Sequence, residues 1–356
     1  MNRARSAAWL FSALACASCG PVPDPRSATV DLRPPAILAV RTVGPREISL
    51  EFDEEAKVAA AKVRISPGLA VAEVSEPGTR VLVSAEEQTP GRRYILEAEA
   101  EDSRGNSASF MADFYGFNPR VPRLILNEFT PRGSGNHPDL VEIKVLSDGD
   151  MGGLVLYEGT PGSFDDRLVF PSFEVRGGDF LVVHFKPSGD ASEVDETSDR
   201  AVSGGFDATD TAFDFWIPGG QGLGGNNGVL SVYERPGGAL IDGVLYSNRT
   251  SQSDEDYGGF GSADTRARAE ELVHDGGWRI AGERVAPEDA FNPEGTTGTR
   301  SICRSSGSAD TDSAGDWHIV PTRGASFGRE NADDLYVPPA QAVASASAGT
   351  IPTTIP

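Results

Sequence analysis

The sequence predicts an all-β protein made of two antiparallel β-sandwich domains, the second carrying a short helical insertion. Glycine (41 residues) and proline (25) are abundant against 38% hydrophobic residues, a balance that favours many short strands and turns over long helices. Apolar residues recur with period two in short runs closed by Gly, Pro, Asn and Asp, the pattern of half-buried strands. No apolar stripe of helical period spans the chain, and 356 residues leave room for two or three domains with sizeable cores.

In chain order, residues 1–19 read as an export signal, with Arg3 and Arg5 as a basic head and Ala7 to Ala15 as an apolar core. That core is shorter than the roughly 20 residues a membrane-spanning helix needs. A cysteine just behind such a core resembles the lipobox of bacterial lipoproteins, where it is cleaved free and acylated. Cys19 is the expected acylation site and Cys16 the alternative. Neither has the common leucine three positions earlier, so the match is to looser variants such as those of spirochaetal lipoproteins. Residues 20–33 are Pro, Asp, Arg and Ser without periodicity, which suits a flexible tether.

The first domain is expected over residues 34–117. Ile48, Leu50 and Phe52 alternate with Ser49 and Glu51, and Val81 and Val83 follow. Tyr94, Leu96, Ala98 and Ala100 alternate with Ile95, Glu97 and Glu99. A turn from Asp102 to Asn106 then feeds a last strand through Phe110, Ala112 and Phe114. Residues 117–122 carry two prolines and read as a linker. Two apolar strands then flank a Gly/Pro/Asn turn between Leu124 and Val145, the signal of a hairpin, with one acid on each strand, Glu128 and Glu142. Leu154 to Leu156, Phe180 to Phe185, Val229 to Tyr233 and Leu240 to Tyr246 continue the pattern at spacings suited to an Ig-like sandwich. Two stretches within residues 121–331 read as insertions. One, at about 190–210, is polar and acidic and suits a surface loop. The other, at about 250–298, holds a short helix from Ser262 to His274, with Ser262 or Asp264 as N-cap and Gly276-Gly277 as its stop. Residues 336–356, rich in Ala, Ser, Thr and Pro, read as a disordered tail.

Two family resemblances attach to these residues. Residues 34–117 resemble bacterial Ig-like domains, through Phe52-Asp53-Glu54-Glu55 and the Asp102 to Asn106 turn. Residues 121–331 resemble the lamin-tail domain. The matching residues are Leu124-Ile125-Leu126-Asn127-Glu128, Asp139-Leu140-Val141-Glu142-Ile143, Leu154 to Tyr157, Phe180 to Phe185, Gly228 to Tyr233 and Leu240 to Tyr246. Thr299 to Arg304, Asp316-Trp317 and Pro321-Thr322-Arg323-Gly324 complete the match. Leu140 stands where the family usually has an aromatic, and Arg323 where it has a second proline. The resemblance implies an Ig-like sandwich of the kind found in secreted or lipid-anchored bacterial proteins. It also implies that Glu128 and Glu142 recur without hydrolysis.

Charge and motifs narrow the chemistry. The formal charge of −22 becomes −24 if Arg3 and Arg5 leave with the signal, and phosphate backbones would repel such a chain, so nucleic acid is not an expected partner. Only Cys303 lies outside the signal region, which excludes a disulfide within the folded part and suits a core or half-buried thiol. Residues 220–225 spell G-x-G-x-x-G, but a strand follows where a phosphate site needs a helix. Residues 324–328 spell G-x-S-x-G around Ser326 without the histidine that α/β-hydrolases place later in the chain. Asp310, Asp312 and Asp316 share one loop and form a calcium candidate, although the full EF-hand pattern is missing, and no other cofactor is expected. Glu128 and Glu142, on neighbouring strands, invite a glycosidase reading, set against carboxylates that accept amides from a loop. His137, His184, His274 and His318 are scattered, and His184, between Val183 and Phe185, reads as half-buried. The sequon at Asn248 reads as incidental in a bacterial lipoprotein.

The expected protein is therefore a non-catalytic lipoprotein of the cell envelope, held to the membrane by its N-terminal lipid. It would bind or scaffold an envelope or extracellular protein or glycan through sandwich-end loops and the insertion around residues 262–274. The alternative is a metal-dependent hydrolase, or an accessory to one, using the acidic loop.

Overall fold

The computed structural model describes residues 31–249 and 257–338. The two cysteines of the signal region, most of the tether and residues 339–356 lie outside that range. Among the described residues the chain is mostly strand, arranged as β-sandwich domains with one α-helix.

Strands β1 (Ile37–Gly44), β2 (Glu47–Val58), β3 (Arg64–Ser66), β4 (Val71–Val74), β5 (Gly78–Ala85), β6 (Arg93–Glu101) and β7 (Ser107–Tyr115) form the first domain. β2 serves both of its layers. Its first half pairs with β1 and β5, which also pairs with β4, while Lys57 and Val58 pair with Glu101 and Ala100 of β6. β6 in turn pairs with β3 and β7. The period-two residues meet between the layers, with Ile48, Leu50, Val81, Val83, Leu96 and Ala100 all buried. The turn before β7 is closed by Asp102, whose Oδ1 accepts from the amides of Arg104 and Asn106, each at 2.8 Å.

The linker at 117–122 is held at both ends. Phe117 N donates to Gln88 Oε1 at 3.0 Å, and Asn118 Nδ2 donates to the carbonyls of Asp150 and Gly152 at 2.6 and 3.0 Å. Beside it the domains touch backbone to backbone. A Cβ on Gly91 would lie 2.2 Å from Gly153 N, so only glycine fits.

The second domain begins with β8 (Leu124–Thr130) and β9 (Leu140–Val145), the expected hairpin, paired from Leu124↔Val145 to Thr130↔Leu140 with a bulge after Leu126. The chain continues through β10 (Gly149–Asp150), β11 (Val155–Thr160), β12 (Ser163–Val169), β13 (Glu174–Val175), β14 (Phe180–His184), β15 (Phe213–Trp216), β16 (Asn227–Tyr233) and β17 (Leu240–Ser247). Helix α1 (Ala263–His274), β18 (Ile302–Arg304) and β19 (Trp317–Ile319) complete it. One layer has the order β15-β14-β9-β8-β18-β19, the other β12-β11-β16-β17, and β10 pairs with β13. All pairs are antiparallel except β14 and β15, because the insertion at 190–210 carries the chain back to run beside β14 in the same direction. That segment is also more than a surface loop. Glu196 is buried and accepts from the amides of Val202, Ser203 and Asp214.

Both layers are covered on their outer faces too, so β8, β11 and β14 are buried along their whole length instead of alternating. Helix α1 covers the β11–β16–β17 side. Leu272 lies over Gly243, whose Cβ would meet Leu272 Cδ1 at 2.4 Å, and Arg268 forks onto Asp165 of β12 at 2.7 and 2.8 Å. Residues 325–331 and the 190–210 segment cover part of the other layer, through bonds to Glu128, Glu142 and Asp214. For this reason His184 is fully buried, not half-buried as its neighbours in sequence suggest. Its ring stacks on Trp216, centroids 3.7 Å apart, and its Nε2 lies 2.8 Å from Asp214 Oδ1. The start of the expected tail is docked as well, since Tyr336 N donates to Ile319 O at 2.7 Å and Arg300 lies over the Tyr336 ring.

Helix α1 starts where Ser262 Oγ accepts from Thr265 N at 3.0 Å, which selects Ser262 over Asp264 as the cap. Ser262→Ala should cost about 1 kcal/mol in urea unfolding. Asp264→Asn, which leaves the cap intact, should cost no more than about half of that, since only its charge near the helix start is lost.

Candidate functional site

The chemistry-bearing residues sort into three places. The deepest is centred on Arg304. β18 alternates, so Ile302 and Arg304 face the other layer while Cys303 faces outward, and the guanidinium is fully buried. Its Nε donates to Leu126 O at 2.7 Å and Nη1 to Ala309 O at 3.0 Å. Asp242 of β17, Asp310 and Asp316 lie 3.2, 3.1 and 3.3 Å from its nitrogens, and its Cζ sits 4.5 Å from the centre of the Trp317 ring. Burial pushes the Asp242 carboxyl up to about 7, while Arg304 pulls it down.

This arrangement redraws the calcium candidate. Asp316 is drawn inward to Arg304, and its carboxylate accepts from Thr311 N and Thr311 Oγ1, both at 2.7 Å. The carboxylates that converge are instead Asp242, Asp310 and Asp312, with oxygens within 4.8 Å of one another. Arg304 supplies the positive charge at two of those three, Asp242 and Asp310, so the geometry is that of a buried ion-pair network. In the sequence Arg304 enters only as part of the Thr299 to Arg304 motif match, with no structural role assigned to it. The available signal was a charged residue at an inward position of an apolar strand.

The second place is the outer face of the β8–β9 hairpin, where Glu128 and Glu142 stand opposite each other in register. Both are fully buried. Glu128 accepts from Ser301 Oγ, from Ser326 N at 2.9 and 3.1 Å and from Ser326 Oγ at 2.7 Å. Glu142 accepts from Asn127 Nδ2 at 2.7 Å and from Gly328 N at 2.5 Å. The G-x-S-x-G string is thus a turn seated on these acids, and Ser326 Oγ donates to the Glu128 carboxylate instead of to a histidine. Burial raises both carboxyls. The Glu128 charge raises Glu142 further, whereas the serine bonds hold Glu128 down. Cys303, beside them, is buried 3.5 Å from His318 Nε2, and burial raises its thiol well above the usual range, which leaves it a poor nucleophile.

The glycine-rich string at 220–225 is a loop leading to β16. Leu223 N donates to Asp139 Oδ2 at 2.8 Å and Gly224 N to Glu158 Oε1 at 3.0 Å, so amides that could hold a phosphate already face the protein's own carboxylates. Burial pushes Glu158 up to about 7.

The third place faces solvent. A groove of about 400 Å³ is lined by His137, Asp207, Thr299, Arg323, Phe327 and Arg329, from loops following β8, β14 and β19 and preceding β18. His137 Nδ1 lies 3.0 Å from Asp207 Oδ1. Arg323 has φ +65°, which a proline ring cannot adopt. The groove escaped the sequence reading because its residues are far apart in the chain. The four histidines occupy four separate places, and His274 is exposed at the end of α1.

Glu158 binds a proton more tightly in the folded chain than its ordinary 4.5, so its contribution to stability is complete below about 4.5 and is lost as pH rises through about 7. Glu158→Gln should therefore flatten the decline of Tm between pH 4.5 and 8, a difference of up to about 3 kcal/mol in the integrated curve. Arg304→Ala strands three carboxylates and should cost about 3–5 kcal/mol in chemical unfolding.

Among known proteins, a Treponema pallidum (strain Nichols) protein named "Uncharacterized protein" is 30% identical over 159 residues, 44% of this chain. The aligned region spans 40% of that relative's length. Among solved structures, a DUF4876 family protein from Bacteroides thetaiotaomicron aligns over 80% of this chain and 90% of its own. At 15% identity and a TM-score of 0.28, that likeness is too low to carry a fold argument. The family model TP_1001_2nd, described as "protein second domain", matches residues 122–319, which is more than half of the chain and nearly all of the second sandwich. The chain belongs to that family.

Proposed function

We propose that the protein is a non-catalytic module of the cell envelope, lipid-anchored through Cys19 with Cys16 as the alternative. Its second sandwich is of lamin-tail type, and it binds or presents an envelope or extracellular protein or glycan through loops at the sandwich end. The observation that carries this reading is the state of the would-be catalytic groups. Glu128, Glu142, Asp316 and Ser326 are buried and bonded to the protein's own backbone and side chains, and the Cys303 thiol is buried and protonated. What faces solvent at the loop end is a concave surface holding a His–Asp pair and two arginines. The expected contact through residues 262–274 keeps one solvent-facing flank, where Arg266, Glu270 and His274 border a shallow cleft, while Ala269 and Leu272 are packed inward. The hydrolase alternative, with Asp310, Asp312 and Asp316 as metal ligands, has less support, because Arg304 engages two of the three.

Alanine at Glu128, Glu142, Asp310, Asp312 and Asp316, one at a time, should lower Tm and reveal no turnover that the parent possesses. A hydrolytic activity lost in a variant of unchanged Tm would overturn the reading. In cells, Cys19→Ala should move the protein from the membrane to the soluble fraction; if Cys19→Ala and Cys16→Ala both leave it membrane-bound, the anchor is wrong.

A further inference from the structure

We propose that the groove lined by Arg323 and Arg329 is a binding site for a ligand carboxylate. The inference deepens the binding-module reading and rests on it. In size, about 400 Å³, the groove falls within the range of small-molecule sites. Its charge is the opposite of the molecule's. The chain carries a formal −22, yet two guanidiniums line this one concavity, and among the described residues neither has a carboxylate partner within salt-bridge distance. The Arg329 guanidinium makes one long 3.4 Å contact, to Ala325 O, and beyond contact distance its charge draws the buried Glu128 carboxyl down. The one acid in the groove, Asp207, is engaged by His137.

The backbone supports the same assignment. Arg323 is held in the left-handed region at φ +65°, with its amide donating to Thr299 O at 2.8 Å, where glycine would be unstrained. Strained non-glycine residues concentrate at ligand sites, and two of the five such residues among those described, Asp207 at φ +62° and Arg323, line this groove. A planar carboxylate matches the guanidinium fork, with Asp207 engaged by His137 as the one acid nearby; inorganic phosphate, which the same fork accepts, is the competing anion, and tighter binding of it than of either carboxylate overturns the assignment. Phe327, Ala208 and Ala325 offer apolar surface to the rest of such a ligand. Two sources fit that chemistry, a peptide C-terminus and a uronic acid.

Calorimetric titration of the full chain tests the proposal, with N-acetyl-Ala-Ala against its C-terminal amide, and D-glucuronate against its methyl ester. One carboxylate form should bind, its neutral counterpart should not, and the one that binds identifies the source. The double substitution Arg323→Gln/Arg329→Gln should weaken binding by at least about tenfold with Tm unchanged. Should that variant fold poorly, Arg323→Lys/Arg329→Lys keeps the charge, loses the fork and should still bind more weakly. Binding of neither carboxylate, equal binding of the neutral forms, or undiminished binding by the variants would overturn the site. The wider binding reading would then stand or fall separately, on whether turnover is found with the acidic residues intact.

Discussion

Arg304 places a full positive charge between the layers of the second sandwich, with its side chain fully buried. A buried guanidinium with five donors is tolerated only if nearly all of them find acceptors. Here the acceptors come from Leu126 on β8, Asp242 on β17 of the opposite layer, and the loop through Ala309, Asp310 and Asp316, while Trp317 closes one face of the ion. The need for a partner therefore fixes the distance between layers, the path of the loop before β19 and the position of an aromatic. A core made only of Leu and Val would leave the register of β18 against β8 to shape alone. The network also anchors the short C-terminal strands β18 and β19 at the edge of their layer.

The second consequence concerns the faces a sandwich normally leaves to water. In this domain residues 325–331 and the segment before β15 cover much of one outer face, and α1 covers part of the other. Polar residues on those faces are therefore inside the protein and must be satisfied there. Glu128, Glu142 and the His184–Asp214 pair are the result. They look like catalytic groups in a one-dimensional reading, and they act as fasteners for the covering segments.

How much of this could be read from the chain follows the range of the interactions. Strand positions, the hairpin from Leu124, the Asp102 turn and the Ser262 cap depend on neighbours a few residues away, and period two or a capping pattern shows them directly. That Glu128 and Glu142 would be neighbours followed from the hairpin. That Asp316 turns toward Arg304, that Asp242 joins Asp310 and Asp312, and that His184 lies under Trp216 depend on contacts across tens to more than sixty residues. No local pattern encodes those. The groove is the extreme case, since His137, Asp207, Thr299 and Arg323 meet only because loops from opposite parts of the chain end at one rim.

The glycine-rich loop before β16 shows what a run of free amides can become when no helix follows it. Asp139, from the turn just before β9, and Glu158, from β11, occupy the donors from within. The polypeptide thereby turns a string whose spelling elsewhere signals a nucleotide into an internal clasp. Because burial holds Glu158 up to about 7, the charge behind this clasp comes and goes near neutrality while the loop stays seated, a titration that no reader of the glycine string would foresee.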